Sequence, residues 1–173
     1  VALAESCDGT SRVGLASHEP PDMPPEVKKG RTKSKTLTPH FHISHQSEGD
    51  KTLKRMNRHY TVAEYEELCT RLRSEFEDTT LTTDVMVGFS GETKEDFEIS
   101  RDFVKKIGFE KVHVFPYSRR TGTRAAEFPD VVENAEKERR SREMIAAAGE
   151  VRHEFLERQI GRTVEVLFEE KLR

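Results

Sequence analysis

Between Pro39 and Tyr117, runs of strand type alternate with helices whose start signals are written into the chain. HFHIS reads as a strand, as does LTTDVMVGF (Leu81 to Phe89), where Val85, Met86 and Val87 are consecutive and apolar. KVHVFPY (Lys111 to Tyr117) is a third. Between the first two, Thr61 and Glu64 form a capping box, and Tyr65, Leu68, Leu72 and Phe76 follow as one apolar stripe. Between the second and third, Thr93 is placed to cap a helix with Glu95 and Asp96 in its first turn. Phe97, Phe103, Val104 and Ile107 form its inner face, and Gly108 supplies its stop. Strand, helix, strand, helix, strand at this spacing predicts an α/β chain with a parallel sheet built from right-handed crossovers. Ligands of such sheets sit at the carboxyl ends of strands.

The flanks are less regular. RVGLAS (Arg12 to Ser17) is short and partly apolar, and the four prolines of HEPPDMPPE exclude regular structure there. KKGRTKSK (Lys28 to Lys35) reads as a solvated basic loop, with a phosphate-contacting loop as the alternative. After Pro129 a long charged helix runs from roughly Glu133 to Gln159 and ends at Gly161, and TVEVLF reads as a final strand. The first residue is Val1, and the last strand is cut short, so the chain is expected to be part of a longer protein.

Composition narrows the class. Of 173 residues, 34% are apolar and 35% charged, with a formal net charge of −3. No apolar run reaches membrane-spanning length and no secretory leader opens the chain, which points to the cytosol. Cys7 and Cys69 match no ligand spacing and read as free thiols.

Four groups of residues are candidates for chemistry. His40, His42 and His45 lie close together, but on a strand the first two face opposite to the third, so no metal site is expected. Asp84 is a carboxylate in an otherwise apolar strand and needs a partner or a ligand. Gln46 and Arg58 could together grip a carboxylate on one rim. Arg119, Arg120 and Arg124 surround a Gly-Thr turn that is either a solvated loop or a contact for an RNA backbone.

HFHISHQSEGDKTLKRMNRHYT, TTDVMVGFSGET and HVFPYSRRTGTRAA, in this order and spacing, resemble the later half of a radical S-adenosylmethionine tRNA methylthiotransferase. The branch they most resemble modifies threonylcarbamoyladenosine next to the anticodon. The resemblance runs from Pro39 to Phe168. It implies the C-terminal portion of a partial (β/α) barrel over residues 1–128, of which 1–38 diverge. A connecting helix over 129–161 and the start of a truncated tRNA-binding β-domain over 162–173 would follow. The parent enzyme would be a monomer. It would use S-adenosylmethionine and two [4Fe–4S] clusters, with tRNA as its substrate.

Residue by residue, the resemblance implies that Glu19, in the ASHEP where relatives have S-x-E-P, accepts the ribose hydroxyls of S-adenosylmethionine. Gln46 and Arg58 would hold its methionine end, and Asp84 would face the same ligand. Phe115 and Tyr117 would flank the pocket, and the three arginines would meet RNA. The chain departs from the family in lacking the C-x-x-x-C-x-x-C motif and the Gly-Gly-Glu stretch that contacts the methionine amine. His45 stands where relatives carry Leu, Glu48 where they carry Gly, and Ser90 where they carry Pro or Ala. The chain alone is therefore expected to be inactive, and an open half-barrel would expose strand edges. A fragment of another radical enzyme, or a non-catalytic RNA-binding α/β module, are the competing expectations.

Overall fold

A computed structural model describes residues 12–28, 36–47 and 49–164. The basic run 29–35, Glu48, Cys7 and most of TVEVLF lie outside the described residues. Four strands form one sheet: β1 (Val13–His18), β2 (Leu37–Ile43), β3 (Thr80–Val87) and β4 (Lys111–Pro116). They lie in chain order and all pair in parallel. The helices are α1 (Pro25–Lys28), α2 (Asp50–Arg55), α3 (Val62–Glu75), α4 (Lys94–Ile107) and α5 (Asn134–Glu157). Short 3-10 turns occupy Pro20–Asp22 and Arg124–Glu127.

Both capping boxes are present. The Thr61 hydroxyl accepts the Glu64 amide and the Glu64 carboxylate accepts the Thr61 amide; Thr93 and Asp96 do the same at α4. These satisfy helix-end donors that would otherwise lack partners. Gly108 closes α4 in the left-handed region, at φ 68°. The proline-rich stretch departs from expectation. Pro20 and Pro25 open short helical turns, because a first-turn residue needs no amide hydrogen and proline's fixed φ already suits a helix.

One face of the sheet makes the core. Phe41, Ile43, Leu81, Val85 and Val87 are buried against Tyr65, Leu68 and Leu72 of α3, Phe97, Phe103 and Val104 of α4, and Met144 of α5. Alternation along the strands sends His42, Asp84, Met86, His113 and Phe115 to the opposite, inner face. No helix among the described residues covers that side.

α5 is tied to the sheet by a buried ion pair. Arg140 donates to the Glu92 carboxylate, which also accepts the Gly88 amide at 2.6 Å. Burial pushes the Glu92 carboxyl up, and the Arg140 hydrogen bond opposes that push. Gly88 lies at φ 72°, and a Cβ there would collide with the Lys137 side chain from α5, so only glycine suits this turn. No described helix is long and apolar enough to cross a membrane.

Candidate functional site

The carboxyl ends of β1 and β2 bring Glu19, Gln46 and Arg58 to one edge of the sheet, whereas Asp84 lies within β3 and Phe115 within β4, and neither lines the cleft found there. Gln46 follows β2 and extends its pairing: its amide donates to the Asp84 carbonyl at 2.9 Å, and its own carbonyl accepts the Met86 amide at 2.9 Å. Gln46 takes φ 70°, uncommon for a residue with a side chain, and such strain clusters at functional positions.

The approach to Gln46 is clamped from several sides. Thr83 Oγ1 donates to the Ile43 carbonyl at 2.7 Å and accepts the His45 amide at 3.0 Å. Tyr60 Oη lies 2.7 Å from the His45 carbonyl and 3.0 Å from that of Ser44. Burial pushes the Tyr60 phenol up to about 12, with Arg58 acting the other way, so the hydroxyl stays a donor. His45 is 1% exposed and packs between Tyr65 and Phe103, with ring centroids 4.4 and 4.8 Å away. Burial holds it neutral by lowering its pKa from 6.5 to about 3.

Gln46 and Arg58 both line a cleft of about 880 Å³. Met86 and Phe89 line it from the sheet side, and Phe128 and Asp130 from the loop after the second 3-10 turn. Arg55 joins the two walls. Its guanidinium lies 3.3 Å from the Asp130 carboxylate and 4.7 Å from the Phe128 ring centroid, and the Asp130 carbonyl accepts the Gly91 amide at 2.7 Å. Arg58 reaches out of the lining to form an ion pair with Glu19, just beyond β1.

Asp84 has its partner on the inner face. Its Oδ2 lies 3.3 Å from His42 Nε2, while His42 Nδ1 lies 3.0 Å from Thr82 Oγ1. His40 pairs with Thr80 instead, at 2.8 Å, and His45 is in the outer core. Among the described residues no group of three His, Cys, Asp or Glu could hold a metal ion.

The aromatic pair divides. Phe115 is 52% exposed on the inner face, its ring stacked near His113. Tyr117 is buried, edge-on to Phe89 at 4.8 Å and covered by the Lys137 ammonium, so it backs the cleft through Phe89 without lining it. Of the three arginines, Arg124 lines the cleft, Arg119 donates to the Phe128 carbonyl at 2.7 Å, and Arg120 is exposed.

Arg55, Phe128 and Asp130 are cleft residues that sequence reasoning did not single out. Arg55 stands in the LKRMNR run that carries Arg58, but its partner is 75 residues away. Another cleft, of about 700 Å³, lies at the amino end of β3, lined by Arg73, Lys105, Lys106 and Arg158. Acids nearby balance several of its charges, with Lys105 against Glu150 and Lys106 against Glu66, each at 2.6 Å.

The rim combines a guanidinium, an amide and a carboxylate beside an aromatic ring. Such a donor set suits a ligand with a charged, polar end and a planar end.

Comparison with known proteins agrees with this geometry. The sequence profile of the Radical SAM superfamily matches residues 21–104. Coproporphyrinogen III oxidase from Escherichia coli, a radical SAM enzyme, superposes with a TM-score of 0.67 at 16% identity, over 81% of this chain and 32% of that one. That likeness shows the fold alone: the parallel sheet and its helices are laid out as in part of that enzyme's barrel. A tRNA-2-methylthio-N(6)-dimethylallyladenosine synthase from Pelotomaculum thermopropionicum is 40% identical over 166 residues, which is 95% of this chain and 37% of that protein. A threonylcarbamoyladenosine tRNA methylthiotransferase from Thermotoga maritima, of the branch expected from the motifs, is 37% identical over 167 residues, 96% of this chain and 38% of that protein. Over nearly all of its length the chain is similar to tRNA methylthiotransferases, and residues 21–104 carry the match to the radical SAM superfamily. It spans a little over a third of the length of these two relatives.

Proposed function

We propose that this chain is the carboxyl-side part of a methylthiotransferase that modifies N6-threonylcarbamoyladenosine beside the anticodon of tRNA, working in the cytosol as a monomer. In this reading, residues 1–128 are barrel, 129–161 connect, and 162–173 open the tRNA-binding β-domain. S-adenosylmethionine lies at the cleft, held by Glu19, Gln46, Arg58 and Asp84. Phe115 and Tyr117 flank it from β4, Tyr117 by way of Phe89. Arg119, Arg120 and Arg124 face the RNA backbone.

The observation that carries the reading is the meeting of Gln46 and Arg58 on one cleft wall at the carboxyl edge of the sheet, where such folds place ligands. When bound beside its reducing cluster, S-adenosylmethionine supplies the radical chemistry. The chain's own residues hold and orient it: the strained Gln46 presents its amide, and Arg58 offers a bidentate grip for a carboxylate. The clusters do not fit this chain. Two cysteines, Cys7 and Cys69, cannot supply the thiolates a cluster needs, and Cys69 is buried in the core. Their ligands would come from elsewhere in the parent.

The dimethylallyladenosine branch is a second reading, favoured by the relative from Pelotomaculum thermopropionicum. Equilibrium binding of tRNA anticodon stem–loops separates the two. Preference for a stem–loop carrying threonylcarbamoyladenosine, weakened when Arg119, Arg120 and Arg124 become Ala, supports the first. Preference for one carrying dimethylallyladenosine supports the second.

A further inference from the structure

A separate cleft of about 400 Å³ opens between the exit of β4 and the start of α5, and it shares no lining residue with the Gln46 cleft. Tyr117, Ser118 and Arg119 line it from the strand exit, and Asn134, Lys137 and Glu138 from the first turn of α5. Lys137 is only 7% exposed, yet its ammonium pairs with no carboxylate among the described residues. The nearest aromatic face is the Tyr117 ring, 5.5 Å away. The Lys137 stem packs over the Gly88 turn, so the ammonium is held at the cleft wall. A cation kept this far from water needs a counter-charge, and a ring face supplies part of one.

The surroundings add to that positive charge. α5 begins without a side-chain cap, and the amides of Asn134, Ala135 and Glu136 have no hydrogen-bond partner among the described residues. They are the positive end of a 24-residue helix. Arg119 donates to the Phe128 carbonyl, a neutral acceptor that leaves its charge unbalanced. Tyr117 Oη is buried and also lacks a partner among the described residues. Glu138 is the carboxylate of the lining; it is 73% exposed and lies 4.0 Å from Arg142.

We infer that this cleft is a seat for a phosphate group, taken by the Lys137 ammonium, the Arg119 guanidinium and the free first-turn amides of α5. A helix start attracts anions in general, and here a buried, unpaired cation is built into the same wall. A phosphate has enough acceptor oxygens to engage all three donors at once, and binding gives Lys137 its missing counter-charge. A phosphodiester of an RNA strand and a free phosphomonoester share this chemistry. The seat goes beyond the RNA contacts proposed for Arg119, Arg120 and Arg124 by assigning Lys137 and the helix start, and no part of it depends on the cofactor reading of the Gln46 cleft.

The test titrates inorganic phosphate into the isotopically labelled 173-residue chain, with chloride at matched ionic strength as the control. Phosphate should shift the amides of Asn134, Ala135 and Glu136 saturably, and chloride should not. Lys137→Met keeps the packed stem and removes the charge, and should weaken phosphate at least about 10-fold, the worth of one charge-assisted hydrogen bond. Arg119→Gln, on an exposed loop, should weaken it about 3-fold and serves as the companion if Lys137→Met fails to fold. A short single-stranded RNA that displaces phosphate from these amides assigns the seat to an RNA backbone. Bound phosphate that the RNA leaves in place assigns it to a free phosphomonoester, and either result upholds the seat. No saturable shift, equal shifts with chloride, or wild-type affinity in the variants that fold overturns it, whatever S-adenosylhomocysteine does at the Gln46 cleft.

Discussion

On the outer face of the sheet, Phe41, Ile43, Val85 and Val87 disappear under two amphipathic helices and the start of a third packing layer from α5. On the inner face, His42, Asp84, His113 and Phe115 have mainly one another for company. The same strands build both faces, one residue apart. Burial of apolar area stabilises the first. The second has a polar ladder that contributes little net stability, because its groups would be solvated equally well in the unfolded chain. The packed core and the polar ladder are thereby separated onto alternate residues, and substitutions on the two faces should behave differently.

The largest contrast is expected at Phe97, which is 1% exposed beneath Arg139 and Arg140. Phe97→Ala should cost about 3–5 kcal/mol in urea unfolding, through lost burial and the cavity left behind. A cost below about 1 kcal/mol would mean the outer core is not packed as described.

His45 provides a pH-dependent test of the same face. Its folded pKa of about 3 lies below the unfolded 6.5, so the unfolded chain binds the extra proton first. Its stabilising contribution is complete above pH 6.5 and falls as the pH drops from there toward 3. Between pH 7 and pH 5 the chain should lose about 2 kcal/mol, and His45→Leu should remove that loss. An equal acid sensitivity in both proteins would place His45 outside the core.

The smallest effect belongs to the inner face. Phe115, half-exposed, should tolerate Ala with a stability change within about 0.5 kcal/mol. A large cost would show that something covers this face in solution.

Local signals made much of the fold legible. Each capping box spans four residues, and the Gly108 stop needs only its own backbone, so both could be read from neighbours. The pairing of Gln46 with Arg58 was legible as chemistry, because an amide and a guanidinium suit a carboxylate wherever the chain brings them together. The cleft's far wall was not. Arg55, Phe128 and Asp130 are ordinary residues until the fold brings positions far apart in sequence into contact. Tyr117 shows the limit of strand alternation: one residue past β4 the chain turns, and its ring goes behind Phe89. β1 was hidden for a related reason, since its register against β2 is irregular and its sequence carries no clear period.

On the proposed function, S-adenosylmethionine binds at the carboxyl edge of this sheet, with Gln46 and Arg58 on its rim. Amide chemical-shift mapping of the isotopically labelled chain with S-adenosylhomocysteine tests it most directly. The perturbed amides should cluster at Gln46, Arg58, Met86 and Phe89, and Arg58→Ala should abolish the response. Perturbations centred on Arg73, Lys105 and Arg158 at the opposite end of the sheet, or a response unchanged in Arg58→Ala, would contradict it.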